Sequence, residues 1–160
     1  MTSPATLTLR LATQDDVLDI LQWRNEALTR SMSRDTEVIE ELEHRKWFNK
    51  VLNDPKKLLL IGIYEERKVG MVRFDRCNEA QWEVNIIVNP EARGQGLGRH
   101  LLEIALERLQ NIYALKSVLA VVHLKNEPSL RLFKALGFNR ESDDGKFISL
   151  TLSQISTPQS

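Results

Sequence analysis

Val84-Asn85-Ile86-Ile87-Val88-Asn89-Pro90-Glu91-Ala92-Arg93-Gly94-Gln95-Gly96-Leu97-Gly98-Arg99 is the stretch from which the rest of this chain can be placed. Val84–Val88 is an apolar run interrupted by one asparagine and reads as a buried strand. Beyond the glycines, Leu101, Ile104, Ala105 and Leu109 recur at helical spacing and give a helix over Leu97–Tyr113 one apolar face. Gly94, Gly96 and Gly98 alternate between the two. Glycine opens positive φ and lets backbone approach a ligand with no Cβ in the way. The loop therefore offers successive N–H groups at a helix start, where unpaired donors and the macrodipole favour an anion. It reads as a phosphate cradle, with Arg93 and Arg99 adding positive charge; a helix entry merely rich in glycine is the plain alternative.

Two other cradles are excluded. A Walker loop would end in Gly-Lys-Ser/Thr, which is absent. A dinucleotide fingerprint needs Gly-x-Gly-x-x-Gly and an acidic residue about twenty positions on at a strand end, and neither is present.

Upstream, Leu7, Leu9 and Leu11 alternate with polar residues as a strand. Thr13-Gln14-Asp15-Asp16 reads as a capped helix start, and Val17, Ile20, Leu21 and Leu28 form that helix's apolar stripe. A second helix is expected from about Thr36, carrying Val38, Leu42, Trp47, Phe48 and Val51 to a stop at Asn53-Asp54-Pro55. Leu58–Tyr64 and Val69–Phe74 form a hairpin, followed by a strand over Gln81–Val88. Downstream, Ser117–His123 is a strand expected to be buried on both faces. Pro128 opens a helix that stops at Gly137, and Asp143-Asp144-Gly145 turns a last hairpin. The order β-α-α-β-β-β-α-β-α-β-β predicts an α/β (α+β) architecture, a central mixed and mostly antiparallel sheet with helices on both faces.

Arg93-x-x-Gly96-x-Gly98 after a strand, and Asn126-x-x-Ser129-x-x-Leu132-Phe133-x-x-x-Gly137-Phe138 further on, resemble the two motifs of the GNAT superfamily of N-acetyltransferases. The element order resembles that fold from about Leu7 to Leu150. The resemblance implies acetyl-CoA as co-substrate, with its pyrophosphate on Arg93, Gly94, Gln95, Gly96, Leu97, Gly98 and Arg99. Pantetheine would run beside Ile86, Ile87 and Val88, with an N–H near Ile87 facing the thioester oxygen. Asn126 would lie by the pantetheine arm; its other reading is a helix cap. Phe133 would pack on the coenzyme or the core.

Glu83 matches a glutamate that many family members carry, which implies a general base or water relay; a structural carboxylate is the other reading, and His44 and His123 are rivals. Phe133 stands where the family often has a proton-donating tyrosine, and phenylalanine has no proton to give. Val121 and Val122 occupy the place of a glutamate found in protein N-terminal acetyltransferases.

Trp23-Arg24-Asn25, Glu43-His44-x-x-Trp47-Phe48 and Val69–Asp75 resemble the branch that acetylates 4-amino groups of nucleotide-linked deoxysugars, as in pseudaminic acid biosynthesis. That likeness implies Arg24, Asn25, His44 and Trp47 as acceptor contacts, with Arg24 and Arg30 meeting a diphosphate. Acetylation of a protein N-terminus or lysine, and a coenzyme-binding module without turnover, are the alternatives.

The chain has 160 residues, 22 basic against 22 acidic, so no global field argues for nucleic acid or membrane. One domain over 1–152 with a flexible tail over 153–160 is expected. A single cysteine, Cys77, forms no internal disulfide and suits a reducing cytoplasm. There is no apolar run of membrane-spanning length, no signal-peptide pattern in Met1–Thr6, and no metal-ligand spacing among the histidines and cysteine. The expected partner is a small-molecule amine, and the expected form is a monomer or homodimer.

Overall fold

The strand that leads into the glycine loop lies at the centre of a seven-stranded sheet. The computed structural model describes residues 6–153; the expectations for the first five residues and for the tail beyond Ser153 lie outside them. The strands are β1 (Thr8–Leu11), β2 (Lys57–Tyr64), β3 (Arg67–Arg76), β4 (Gln81–Val88), β5 (Ser117–His123), β6 (Asn139–Asp143) and β7 (Phe147–Leu152). Their order is β1-β2-β3-β4-β5-β7-β6. Only β4 and β5 run parallel. The crossover between them is α4 (Leu97–Ile112), as a parallel pair requires.

Helices cover both faces. Trp82 and Val84 of β4 join Leu101, Leu102, Ala105 and Leu109 of α4 and Phe133 of α5 (Glu127–Ala135) in one core. On the other face, Leu59, Ile61 and Met71 pack against Ile20 and Trp23 of α1 (Val17–Asn25) and Phe48 and Val51 of α3 (Glu41–Asn53). Helix α4 and strand β4 sit close on β3. A Cβ on Gly70 would lie 2.6 Å from the Ile87 carbonyl oxygen and 3.0 Å from Leu101.

The entry to α1 is pinned by a buried carboxylate. Asp16 accepts from both terminal nitrogens of Arg10, each at 2.8 Å, from Thr13 N at 2.8 Å, and from Lys68 at 2.8 Å. Burial alone would raise its pKa, but these donors outweigh it and hold the carboxyl below the usual range.

Three local expectations are corrected. The first helix ends at Asn25, and Leu28 belongs to a separate short helix, α2 (Ala27–Ser31). The second long helix starts at Glu41 rather than near Thr36, so Val38 is exposed and outside it. Asn25 explains both: its side chain donates to the Ile39 carbonyl at 2.9 Å and accepts from the Ile39 N–H at 2.8 Å, which takes that residue out of any helix. Strand β5 is buried on one face only, through Val118, Ala120 and Val122; Leu119, Val121 and His123 stay partly open. Among the described residues, no helix is long and apolar enough to cross a membrane.

Candidate active site

Strands β4 and β5 pair from Gln81↔Ser117 to Val84↔Ala120 and then part. Beyond that point β5 stays on β7, as far as His123↔Phe147, and β4 stays on β3, as far as Val88↔Gly70. A wedge therefore opens between them, with the glycine loop above it. Which backbone groups face the wedge follows from the register. The Asn89 N–H donates to the Val69 carbonyl at 2.8 Å. In an antiparallel ladder this direction alternates, so Ile87 and Asn85 also turn their N–H and C=O toward β3, and Ile86 and Val88 turn theirs into the wedge. No turn or loop bond among the described residues reaches them. An extended amide chain can thus add to Ile86 and Val88 as a strand would. Of the three residues expected along the pantetheine, Ile86 and Val88 have the free N–H groups, and that of Ile87 points toward β3.

Above the wedge, Gly94 and Gly96 adopt φ of +79° and +73°. A Cβ on either would meet nothing within 4 Å, so glycine is required there by conformation and not by packing. Outside helices and strands, no backbone bond is donated by Gly94, Gln95 or Gly96 to the described residues. With the unpaired first-turn amides of α4, including those of Leu97, Gly98 and Arg99, they form an anion cradle. Leu97 contributes backbone only, since its side chain is buried in the core.

The two flanking arginines are occupied. Arg99 pairs with Glu103 one turn on, at 3.1 Å. Arg93 reaches across to Glu26, with its two terminal nitrogens 3.2 and 3.0 Å from the carboxylate oxygens, and also donates to Thr29 at 3.1 Å. The Arg93 bonds pull the Glu26 pKa down to about 2, and burial opposes them. Glu26 also caps α2 through the Thr29 N–H at 2.9 Å. The coenzyme loop and the α1–α2 junction are thereby tied together.

Of the four expected acceptor contacts, two face inward. His44 is fully buried: its Nε2 lies 2.7 Å from the Val17 carbonyl and its Nδ1 lies 3.0 Å from Arg24. It cannot touch an acceptor. Asn25 is spent on Ile39, and Arg30 on the carbonyls of Asn25 and Thr36. Arg24 and Trp47 remain, with the guanidinium 4.1 Å from the indole centre. Burial, then the charge of Arg73, pushes the Arg24 pKa down to about 10. Arg73 covers the same indole at 5.3 Å and was not singled out from the sequence. The signal for it is parity: Arg73 lies opposite Asn85, on the same face as Met71 and Asp75.

Glu83 sits on β4 one residue below the last paired one, opposite Asp75 and beside Leu119 on β5. Its side chain is half-buried on the face carrying α1 and α3. Asn126 caps α5, accepting from the Ser129 N–H at 3.3 Å, and its amide nitrogen donates to none of the described residues. Phe133 is a core residue, 3% exposed and edge-on to Phe138 at 5.0 Å. Among the described residues, no group of side chains is arranged to hold a metal.

A strand edge left open beneath a glycine-rich anion loop is the architecture of a coenzyme A-dependent acyltransferase. The pattern of the Acetyltransferase (GNAT) family matches residues 17–138, and the chain belongs to that family. It is an acetyltransferase with acetyl-CoA as co-substrate. The Bacillus subtilis protein YwnH, which carries the name of a phosphinothricin acetyltransferase, is 28% identical over 149 residues, 82% of this chain and 83% of the relative. Acetyltransferase PseH of Campylobacter jejuni is 23% identical over 137 residues, 84% of each. In fold, the chain is similar to spermidine N-acetyltransferase from Vibrio cholerae, solved with CoA and spermine. The TM-score is 0.83 at 22% identity, over 92% of this chain and 95% of that one.

Proposed function

We propose that this enzyme acetylates the primary amine of a small molecule, and that the acceptor is the 4-amino group of a nucleotide-linked deoxysugar. The open edge at Ile86 and Val88 beneath the glycine loop carries the acetyl-transfer half of this reading. The likeness to PseH and the half-buried Trp47 beside Arg24 support the sugar half. Pyrophosphate rests on the amides of 94–99, and pantetheine pairs with Ile86 and Val88. The thioester then ends near the fork at Val84, next to Glu83 and Asn85.

Glu83 takes the proton of the acceptor ammonium, directly or through one water. The freed nitrogen attacks the thioester carbon, and the Ile86 N–H donates to the oxygen as charge builds there. The nitrogen gives its second proton to water as the C–S bond breaks and the thiolate leaves. No tyrosine stands at Phe133 to protonate it, but a thiol pKa of about 8–9 lets the thiolate depart and take its proton from water.

The test is thiol release from acetyl-CoA with a nucleotide-linked 4-amino-sugar, phosphinothricin, spermidine and a peptide with a free N-terminus. Turnover of the amino-sugar upholds the reading. Turnover of phosphinothricin alone moves the acceptor to an amino acid, as the likeness to YwnH would favour. Turnover of the peptide alone removes the small-molecule reading.

A further inference from the structure

Three aromatic and cationic side chains over β3 form a unit that the coenzyme site does not use. Arg24 and Arg73 both lie over the indole of Trp47, at 4.1 and 5.3 Å from its centre. Arg73 is held by Asp75, with Nε 3.1 and 3.2 Å from the two oxygens, and Asp75 also takes Lys57 at 3.1 Å. Arg24 has no carboxylate partner among the described residues. Its one side-chain partner is Nδ1 of His44.

The His44 tautomer follows from its neighbours. The Val17 carbonyl can only accept, so Nε2 carries the proton, and Nδ1 is left to accept from Arg24. The ring is neutral, and burial keeps it so by lowering its pKa. A neutral imidazole fixes the guanidinium without neutralising it. Lys57 and Arg73 thus share Asp75, and Arg24 keeps its charge with no carboxylate against it among the described residues.

Two guanidiniums on one ring repel each other until an anion bridges them. Guanidinium forks match carboxylate and phosphate oxygens in pairs. The pair also stands where an acceptor must lie. Arg73 is opposite Asn85, the first β4 residue past the fork, and Leu119, Val121 and His123 of β5 stay partly open.

We infer that Arg24 and Arg73 receive an oxyanion of the acceptor, a phosphate or a carboxylate, with His44 as the residue that positions Arg24, so that anionic amines are accepted and polyamines rejected. The inference rests on the acetyl-transfer reading but not on the sugar. A nucleotide diphosphate and an amino-acid carboxylate offer the same chemistry to the pair.

The test compares kcat/KM for the nucleotide-linked amino-sugar, phosphinothricin and spermidine in the full chain and in Arg24→Gln, Arg73→Gln, His44→Phe and His44→Asn. One anionic acceptor should exceed spermidine by a hundredfold or more. Arg24→Gln and Arg73→Gln should raise its KM at least tenfold with the KM for acetyl-CoA unchanged. His44→Phe should raise KM as Arg24→Gln does. His44→Asn, which keeps an acceptor near the place of Nδ1, should recover most of the loss, a rescue that a merely structural histidine would not give.

Preference for spermidine, or an acceptor KM within twofold in both arginine variants, overturns the receiver and leaves acetyl transfer standing. If no acceptor is turned over, titration with inorganic pyrophosphate in saturating CoA decides. Binding that is lost in Arg24→Gln upholds the receiver and sinks the acceptor reading. No binding sinks the receiver.

Discussion

Gly70→Ala tests whether the open edge of β4 is held in place by its neighbours. The added Cβ would stand 2.6 Å from the Ile87 carbonyl oxygen, 3.2 Å from Val88 Cα and 3.0 Å from Leu101 Cδ2. Leu101 can turn its methyl aside; the two backbone atoms cannot. Ordinary contact starts near 3.4 Å, so β3 and β4 must part by several tenths of an ångström at the Val88↔Gly70 pair. Forced overpacking of this kind costs about 1–3 kcal/mol. For a chain of this length each kcal/mol lowers Tm by about 2–4 °C, so a fall of about 2–12 °C is expected.

The same displacement moves Ile86 and Val88, whose free amides are proposed to carry pantetheine. A loss of about 1.4 kcal/mol in that pairing raises the Kd for acetyl-CoA about tenfold. Calorimetric melting, and titration with acetyl-CoA at a temperature where the variant is folded, measure the two effects separately. Gly94→Ala is the contrast: its Cβ meets nothing, and the cost is the left-handed φ of +79° alone, about 1–2 kcal/mol. A Gly70→Ala protein with unchanged Tm and unchanged Kd would refute the claim that β4 is set by its contact with β3 and α4.

Asp16→Asn removes a buried charge with four donors from three residues around it and should cost about 3–5 kcal/mol at pH 7 by urea unfolding. The Asp16 pKa is depressed in the fold, so its stabilisation is present above the unfolded value of about 4 and is lost as pH falls through the folded one; the variant should show a flatter acid limb, and an equally steep one would remove Asp16 as its cause. Phe133→Tyr adds a hydroxyl to a ring that is 3% exposed and packed on Phe138, so Tm should fall by a few degrees with kcat unchanged, and a faster enzyme would bring the residue into the reaction. Glu26→Gln frees Arg93 for the pyrophosphate and should tighten acetyl-CoA binding about two- to fivefold at low salt; looser binding would mean that the tie itself shapes the loop. Glu83→Gln should flatten the pH–rate profile, and an unaltered profile would shift the proton transfer to another group.

The β4–α4–β5 unit was legible because its signals are local: an apolar run, three glycines, and a helical stripe that reaches Leu109. The α1–α3 connection was not. It is fixed by Asn25 and Ile39, fourteen positions apart, through bonds between a side chain and backbone that no periodicity records. The likeness of Glu43–Phe48 to the amino-sugar branch offers His44 as an acceptor contact; its burial comes from α1, which brings the Val17 carbonyl to it. Ile86 and Ile87 are the same residue type, and only the register against β3 tells which amide is free.

The fork between β4 and β5 follows from what holds each strand on its other side. β5 is paired to β7 through six residues, Val118 to His123, and β4 to β3 through seven, Gly70↔Val88 to Arg76↔Trp82. Each half keeps its own twist, and a short parallel ladder of four pairs cannot draw them together against it. An unpaired edge in the middle of a sheet would ordinarily be a liability, because its amides invite another strand. Here the opening leads to the glycine loop, whose free amides suit a chain that carries an anion at its end. Coenzyme binding and stability are linked through this edge: a ligand bound only to the folded state at a hundred times its Kd adds about 2.7 kcal/mol. On the proposed placement the co-substrate would complete the sheet, and the Arg93–Glu26 tie would carry the position of the glycine loop to the α1–α2 junction.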